Sequence, residues 1–256
     1  MEKTVVKAIR VLETLALSPR PQALSEIAAA CEITKSNAHR LLGTLAEMHY
    51  VRQVPESRSY EATLRLWEMG MRVFDRFDIR SIASPILRSL QERTGESVHL
   101  SIFDNGDAVY IDRIESQQAV RAYIRIGDRV PAYCTATGRA MLACLGPAEV
   151  AAATRDMRRH TEITVATPEA LDAALREVRE KGYALTRGEW RPGVVGVAAP
   201  IRSQSGIVIA GVGVAGPAER MTPDSVAVAT TAVLDAASGI SRALGFSSSA
   251  QEGRRP

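Results

Sequence analysis

The sequence predicts an α+β fold in two unequal parts, and three observations predict it. Apolar residues recur every three to four positions up to about residue 49, and the period then changes to two. Asn105-Gly106 is a hairpin signal between two alternating segments, so the later strands are antiparallel. Thr-Pro pairs at 167–168 and 222–223 place an N-cap before a proline at the first helical position, so helices flank those strands.

Val5, Ile9, Leu12 and Leu15-Ala16 fall at helical spacing over residues 4–17, and Pro19 and Pro21 stop that helix. A short helix follows from about Leu24 to Ala30, with Leu24, Ile27 and Ala28 on one face. Residues 31–34 form a tight connection. Thr34 caps a third helix running through His49, with Ala38, Leu41, Leu42, Leu45 and Met48 as its apolar stripe. Tyr50–Val54 and Ser59–Ala62 read as a hairpin around residues 55–58. Three helices and a hairpin in residues 1–62 are the plan of a winged helix-turn-helix.

Residues 63–78 contain an amphipathic linker helix, with Leu64, Trp67, Met71 and Phe74 on one side. The small first domain offers little to cover that stripe, so a partner subunit is expected to; a fold-back onto the same chain is the alternative. In the second domain, residues 79–246, a helix is expected from Ile79 to Arg93, ending at Gly95. Strands are expected at 97–103, 108–114, 120–126, 183–187, 194–201 and 207–214, and helices at 138–145, from Pro168 to Lys181, and from Pro223 to about Leu244. The polar stretch 247–256 reads as a disordered tail.

Composition narrows the function classes. At 256 residues and 46% hydrophobic, the chain has an ordinary globular core and room for two domains. Cys31, Cys134 and Cys144 are scattered, with no CxxC pair, so no metal or cofactor is expected and a reducing cytoplasm fits. The longest apolar run, 207–216, falls well short of the roughly 20 residues of a membrane span. Thirty-two Lys+Arg against 29 Asp+Glu leave a net charge of only +3. Between Thr34 and Arg58, however, the basic residues Lys35, Arg40, Arg52 and Arg58 face only two acids, Glu47 and Glu56.

In a helix-turn-helix the start of the third helix meets base edges in the major groove. That position is held by Lys35, Ser36, Asn37, His39 and Arg40, with Thr44 one turn on. Arg and Lys suit guanine, Asn suits adenine, and hydroxyls suit phosphates. Ser25 and the wing residues Arg52 and Arg58 complete the candidate DNA contacts. A merely solvated charged face and a helix-turn-helix used for protein contact are the competing readings.

The segment LSEIAAACEITKSNAHRLLGTLAEMHYVRQ resembles the DNA-binding domain of the IclR family of bacterial transcriptional regulators. The likeness continues through IGDRVPAYCTATGRAMLACL and GYALTRGEWRPGVVGVAAPI…GVGVAGP, covering about residues 4–244 in order. It implies a winged helix, a linker helix and a GAF-like effector domain. It also implies a dimer or dimer of dimers on palindromic double-stranded operators. The resemblance places the effector against Tyr133, Cys134, Thr135, Ala136, Thr186, Glu189, Val194, Gly196, Gly213 and Ala215.

Relatives that bind small keto acids carry polar side chains where Thr186, Gly196, Gly213 and Ala215 stand, so a roomier, more apolar pocket is expected. The stretch Arg129–Thr135 is similar to the branch that controls aromatic-acid catabolism. The expected effector is a small aromatic acid or a ring-cleavage product. Tyr133 would stack or hydrogen-bond, Thr135 would donate, and Arg125, Arg139 or Arg187 would hold the carboxylate; plain packing is the competing role for Tyr133 and a plain surface position that for the arginines. A Cys134 nucleophile with His99 or His160 as base has no motif to support it, and the Gly-rich stretch 206–216 holds no Walker sequence.

Overall fold

A computed structural model describes residues 3–74 and 79–246 and divides into two compact units, Met1–Phe77 and Asp78–Pro256. The expected tail 247–256 and the end of the expected linker segment, 75–78, lie outside the described residues, as do the side chains of Met71 and Phe74.

The first unit runs α1 (Lys3–Leu17), α2 (Leu24–Ala30), α3 (Lys35–Glu47), β1 (Val51–Gln53), β2 (Tyr60–Ala62) and α4 (Arg65–Phe74). Its core joins Val11 and Leu15 of α1, Ile27 of α2, Leu41, Leu42 and Leu45 of α3, and Val51 and Tyr60 of the wing. These are the stripes that helical spacing marks, brought face to face. The Thr34 hydroxyl accepts from the Asn37 amide at 3.3 Å and caps α3. Glu32 (φ 54°) turns the chain between α2 and α3, and His49 (φ 63°) ends the third helix slightly earlier than its apolar pattern suggests. Val51 pairs with Ala62 in the wing, and a bridge from Gln22 to Tyr60 adds a third short run beside it.

The second unit contains α5 (Ile79–Thr94), β3 (Ser97–Asp104), β4 (Asp107–Ile114), β5 (Arg129–Pro131), α6 (Ala136–Leu142), α7 (Pro147–Ala153), α8 (Pro168–Lys181), β6 (Ala184–Arg187), β7 (Val194–Arg202), β8 (Val208–Pro217) and α9 (Pro223–Ala243). All strand pairs are antiparallel, in the order β5-β4-β3-β8-β7-β6. Val195 and Val197 of β7 pack with Val226 and Ala229 of α9. The alternate residue Ala198 packs with α6 and α8, because successive strand side chains point to opposite faces. Helices therefore cover both faces of the sheet.

Three expectations need correction. Residues 120–126 form no strand: the chain turns at Gly127 (φ 90°), and only Arg129–Pro131 comes into register beside Asp107–Val109. Apolar alternation alone does not supply a paired edge. The expected helix 138–145 begins two residues earlier, because the Thr135 hydroxyl accepts from the Gly138 amide at 3.0 Å. Helix α7 was not foreseen; Glu149 caps it by accepting from the Gly146 amide at 3.0 Å.

Candidate functional site

Two surfaces carry the chemistry, one in each unit. In the first, Lys35, Ser36, His39, Arg40 and Thr44 are exposed on α3, and Asn37 is half-buried beside the cap. The opposite side of the same helix is buried through Ala38, Leu41, Leu42 and Leu45. Helical periodicity leaves the polar cluster on the outside. Ser25 is exposed near the start of α2, and Arg58 is exposed in the wing turn with φ 53°. Arg52 is exposed but not idle: its guanidinium pairs with Glu61 across the wing at 2.6 Å.

The second unit encloses a cavity of about 190 Å³ between the 188–194 loop, α6 and strands β3, β4, β7 and β8. Nine of the ten expected effector residues line it: Cys134, Thr135, Ala136, Thr186, Glu189, Val194, Gly196, Gly213 and Ala215. The glycines are there for close approach. A Cβ at Gly213 would stand 3.1 Å from the Thr137 methyl and 2.7 Å from the Val197 carbonyl oxygen; one at Gly196 would stand 3.0 Å from the Thr186 hydroxyl.

Tyr133 is the exception. It belongs to a tight 3₁₀ turn, Ala132–Cys134, that sends its phenol away from the cavity. Its hydroxyl donates to the Arg158 carbonyl at 3.0 Å, accepts from the Arg158 amide at 2.8 Å and lies 3.2 Å from His160 Nε2. Tyr133 is thus a packing and loop-anchoring residue.

The arginines are also reassigned. Arg139 is buried under the cavity wall, donating to the Tyr133 carbonyl at 2.7 Å and pairing with Glu189 at 2.8 Å. Arg125 and Arg187 are exposed and do not line the cavity. Arg121 and Arg191 line it instead. Arg121 is paired with Glu115 at 2.9 Å. Arg191 donates to the Tyr123 carbonyl at 3.1 Å and has no carboxylate partner among the described residues. Glu189 faces the cavity with its carboxylate already engaged by Arg139 and the Arg187 amide, while its own carbonyl accepts from Thr164 at 2.7 Å.

Several lining residues escaped sequence reasoning: His99, Tyr110, Ile124, Thr137 and Trp190. Thr137 and Trp190 stand inside segments that carried the family resemblance, so their position was a usable signal. His99 and Tyr110 gave none beyond strand alternation. They meet edge to face at 5.5 Å. The Tyr110 phenol, pushed above its ordinary pKa by burial, faces the Thr135 and Thr137 hydroxyls. The Thr137 hydroxyl is buried beside that phenol.

Burial, with the Arg113 charge second, pushes the His99 imidazole down to about 4. The unfolded chain protonates this residue near 6.5, so it binds the extra proton first. His99 therefore contributes stability that is complete above pH 6.5 and is lost as the pH falls toward 4, about 3 kcal/mol in all. Urea midpoints measured across that window should fall for the wild type and flatten for His99→Gln.

Burial likewise pushes the Cys134 thiol up to about 12, and neither histidine hydrogen-bonds it among the described residues. A thiol that resists ionisation is a poor nucleophile. No group of three or more His, Cys, Asp or Glu that could hold a metal occurs among the described residues, and no described helix is long and apolar enough to cross a membrane.

Residues 4–55 match the IclR helix-turn-helix domain, and residues 71–242 match the bacterial transcriptional regulator IclR C-terminal domain. The chain is 35% identical over 246 residues to the HTH-type transcriptional regulator XynR of Escherichia coli, covering 95% of this chain and 98% of that protein. The crystal structure of the Thermotoga maritima IclR superposes with a TM-score of 0.78 at 31% identity, covering 96% of this chain and 100% of that one. An IclR homolog from Microbacterium hydrocarbonoxydans, crystallised with 4-hydroxybenzoate, superposes at 0.81 with 26% identity, covering 94% and 99%. An exposed polar helix face in a winged unit, a lined cavity in an antiparallel sheet unit and these two ordered matches agree: the chain belongs to the IclR family of bacterial transcriptional regulators.

Proposed function

We propose that this DNA-binding regulator controls a catabolic operon and takes a small aromatic acid, or a ring-cleavage product of one, as its effector. The observation that carries the effector class is the cavity. Its 190 Å³ is a little more than the roughly 150 Å³ apolar hole that holds benzene. Val194, Val197, Val214 and Ile124 give it apolar walls, and Arg191 supplies a cation that has no carboxylate partner among the described residues. A two- or three-carbon keto acid would leave most of that wall uncovered. The relative crystallised with 4-hydroxybenzoate supports the same class.

DNA reading is assigned to Lys35, Ser36, Asn37, His39, Arg40 and Thr44, with Ser25, Arg52 and Arg58 on the backbone. Leu64, just before α4, and Trp67 of α4 are 75% and 63% exposed in the single chain, which supports a homodimer, or a dimer of dimers, on a palindromic operator. Effector binding would change the spacing of the two recognition helices through a coupling of about 1–3 kcal/mol.

Mobility shifts on the DNA upstream of the protein's own gene test the first half. Arg40→Ala is expected to weaken binding by about 1–3 kcal/mol with the fold intact. Arg52→Ala should cost less, because Glu61 already holds that side chain. Unchanged binding in Arg40→Ala would place the contact elsewhere. For the second half, thermal stabilisation by glyoxylate and by no aromatic acid would overturn the effector class.

A further inference from the structure

The second unit holds another cavity, of about 250 Å³, bounded by α8, by β6 and by Arg139 of α6. Among the described residues only Glu189 lines both this cavity and the effector cavity, so the two are separate spaces that share one wall residue.

Its charges do not balance. Three cations line it, Arg139, Lys181 and Arg187, against two carboxylates, Glu177 and Glu189. Each carboxylate is already taken. Glu177 pairs with Lys181 one turn along α8, and Glu189 pairs with Arg139 at 2.8 Å. The Arg187 guanidinium is left over, exposed and with no carboxylate partner among the described residues.

Arg139, its charge balanced by Glu189, still has a donor to spare. It is 4% exposed; its Nε donates to the Tyr133 carbonyl and its Nη1 to Glu189, but its Nη2 is buried with no hydrogen-bond partner. A guanidinium carries five N–H donors in a fixed fork, and a buried donor left unpaired costs free energy. An anionic oxygen brought into the cavity would recover that cost and neutralise the surplus charge. A carboxylate is satisfied by a single guanidinium fork, whereas a phosphate group has oxygens enough for two guanidinium groups at once.

We propose that this cavity binds a phosphate group, free or as the ester of a small metabolite, through Arg187 and Arg139. The site is distinct from the effector cavity and does not depend on the effector class proposed above.

Inorganic phosphate, titrated into the full chain at constant ionic strength while the melting temperature is followed, is the first probe. At ten times its dissociation constant it should raise the wild-type melting point by about 3–5 °C. Arg187→Gln removes the spare cation and leaves the Arg139–Glu189 pair in place, and Ala174→Glu adds a carboxylate to the cavity wall from α8. Both variants should melt near the wild type without phosphate and lose the phosphate response. Arg40→Ala should keep it, which separates this site from the basic face of α3. Acetate at the same concentration should shift the wild type less than phosphate does. Glucose 6-phosphate distinguishes the sources: a larger shift than with inorganic phosphate assigns the site to a phosphorylated metabolite and a smaller one to the free ion, and either supports the site. No shift in the wild type, a shift of wild-type size in both cavity variants, or its loss in Arg40→Ala alone overturns the inference. An acetate shift equal to that of phosphate overturns the choice of phosphate.

Discussion

Arg139→Met is expected to lower the stability of the effector unit by about 3–5 kcal/mol, the usual consequence of removing one partner from a buried ion pair. The Arg139 and Glu189 side chains are only 5% and 11% exposed and meet at 2.8 Å. Methionine fills much of the arginine's volume, so the loss is chiefly electrostatic: Glu189 keeps the Arg187 amide but no cation. At about 2–4 °C per kcal/mol for a unit of this size, the melting transition should fall by roughly 10 °C. The double variant Arg139→Met/Glu189→Gln, which removes the stranded charge, should recover a large part of it. The same pair tethers the 188–191 wall of the cavity, so effector affinity should fall in Arg139→Met and partly return in the double variant. A melting point within 2 °C of wild type would mean that the pair is not a structural element.

Gly138→Ala is expected to be at least as damaging, for a steric reason. A Cβ there would lie within 2.7 Å of the Ala132 carbonyl carbon and closer still to its oxygen and Cα. Backbone, unlike the end of a long side chain, cannot step aside, and α6 is itself held against β8, where Cβ atoms at Gly211 and Gly213 would collide with Thr137. Overpacking against backbone belongs to the rare substitutions that cost about 4 kcal/mol or more. Gly43→Ala is the control. Apart from its chain neighbours and the backbone of its own helix, nothing described lies within 4 Å of a Cβ at that position, which is exposed in α3. There alanine should stabilise by about 0.5–1 kcal/mol, through helix propensity alone. Chemical denaturation of the two variants should therefore move in opposite directions.

The two units differ in how far they can be read from the chain. In the first, the core contacts join neighbouring short elements whose stripes repeat at a known spacing, so Leu41, Leu42 and Leu45 are assignable to the inside and Lys35 and Arg40 to the outside without a structure. In the second, the residues that meet in the cavity stand as far apart as His99 and Ala215. Segment resemblance located nine of the ten named positions, because it carries spatial information that periodicity lacks. Tyr133, for which packing was the competing role, does not line the cavity, although Cys134 of the same 3₁₀ turn does. The resemblance missed His99 and Tyr110, which look like any other alternating strand residues.

By itself the sequence determined the order of the elements, the polar face of α3, the antiparallel character of the second unit and the positions of the helix caps at Thr34, Thr167 and Thr222. These depend on residues within a turn or two of one another. Only the tertiary structure decided which arginine reaches the cavity. On paper the candidates are Arg125, Arg139 and Arg187, and none of them lines the effector cavity. Arg139 is consumed by Glu189, fifty residues away, whereas Arg191, which does line it, has no carboxylate partner among the described residues. Whether a charged group is available to a ligand depends on what has already neutralised it, and that partner is chosen by folding.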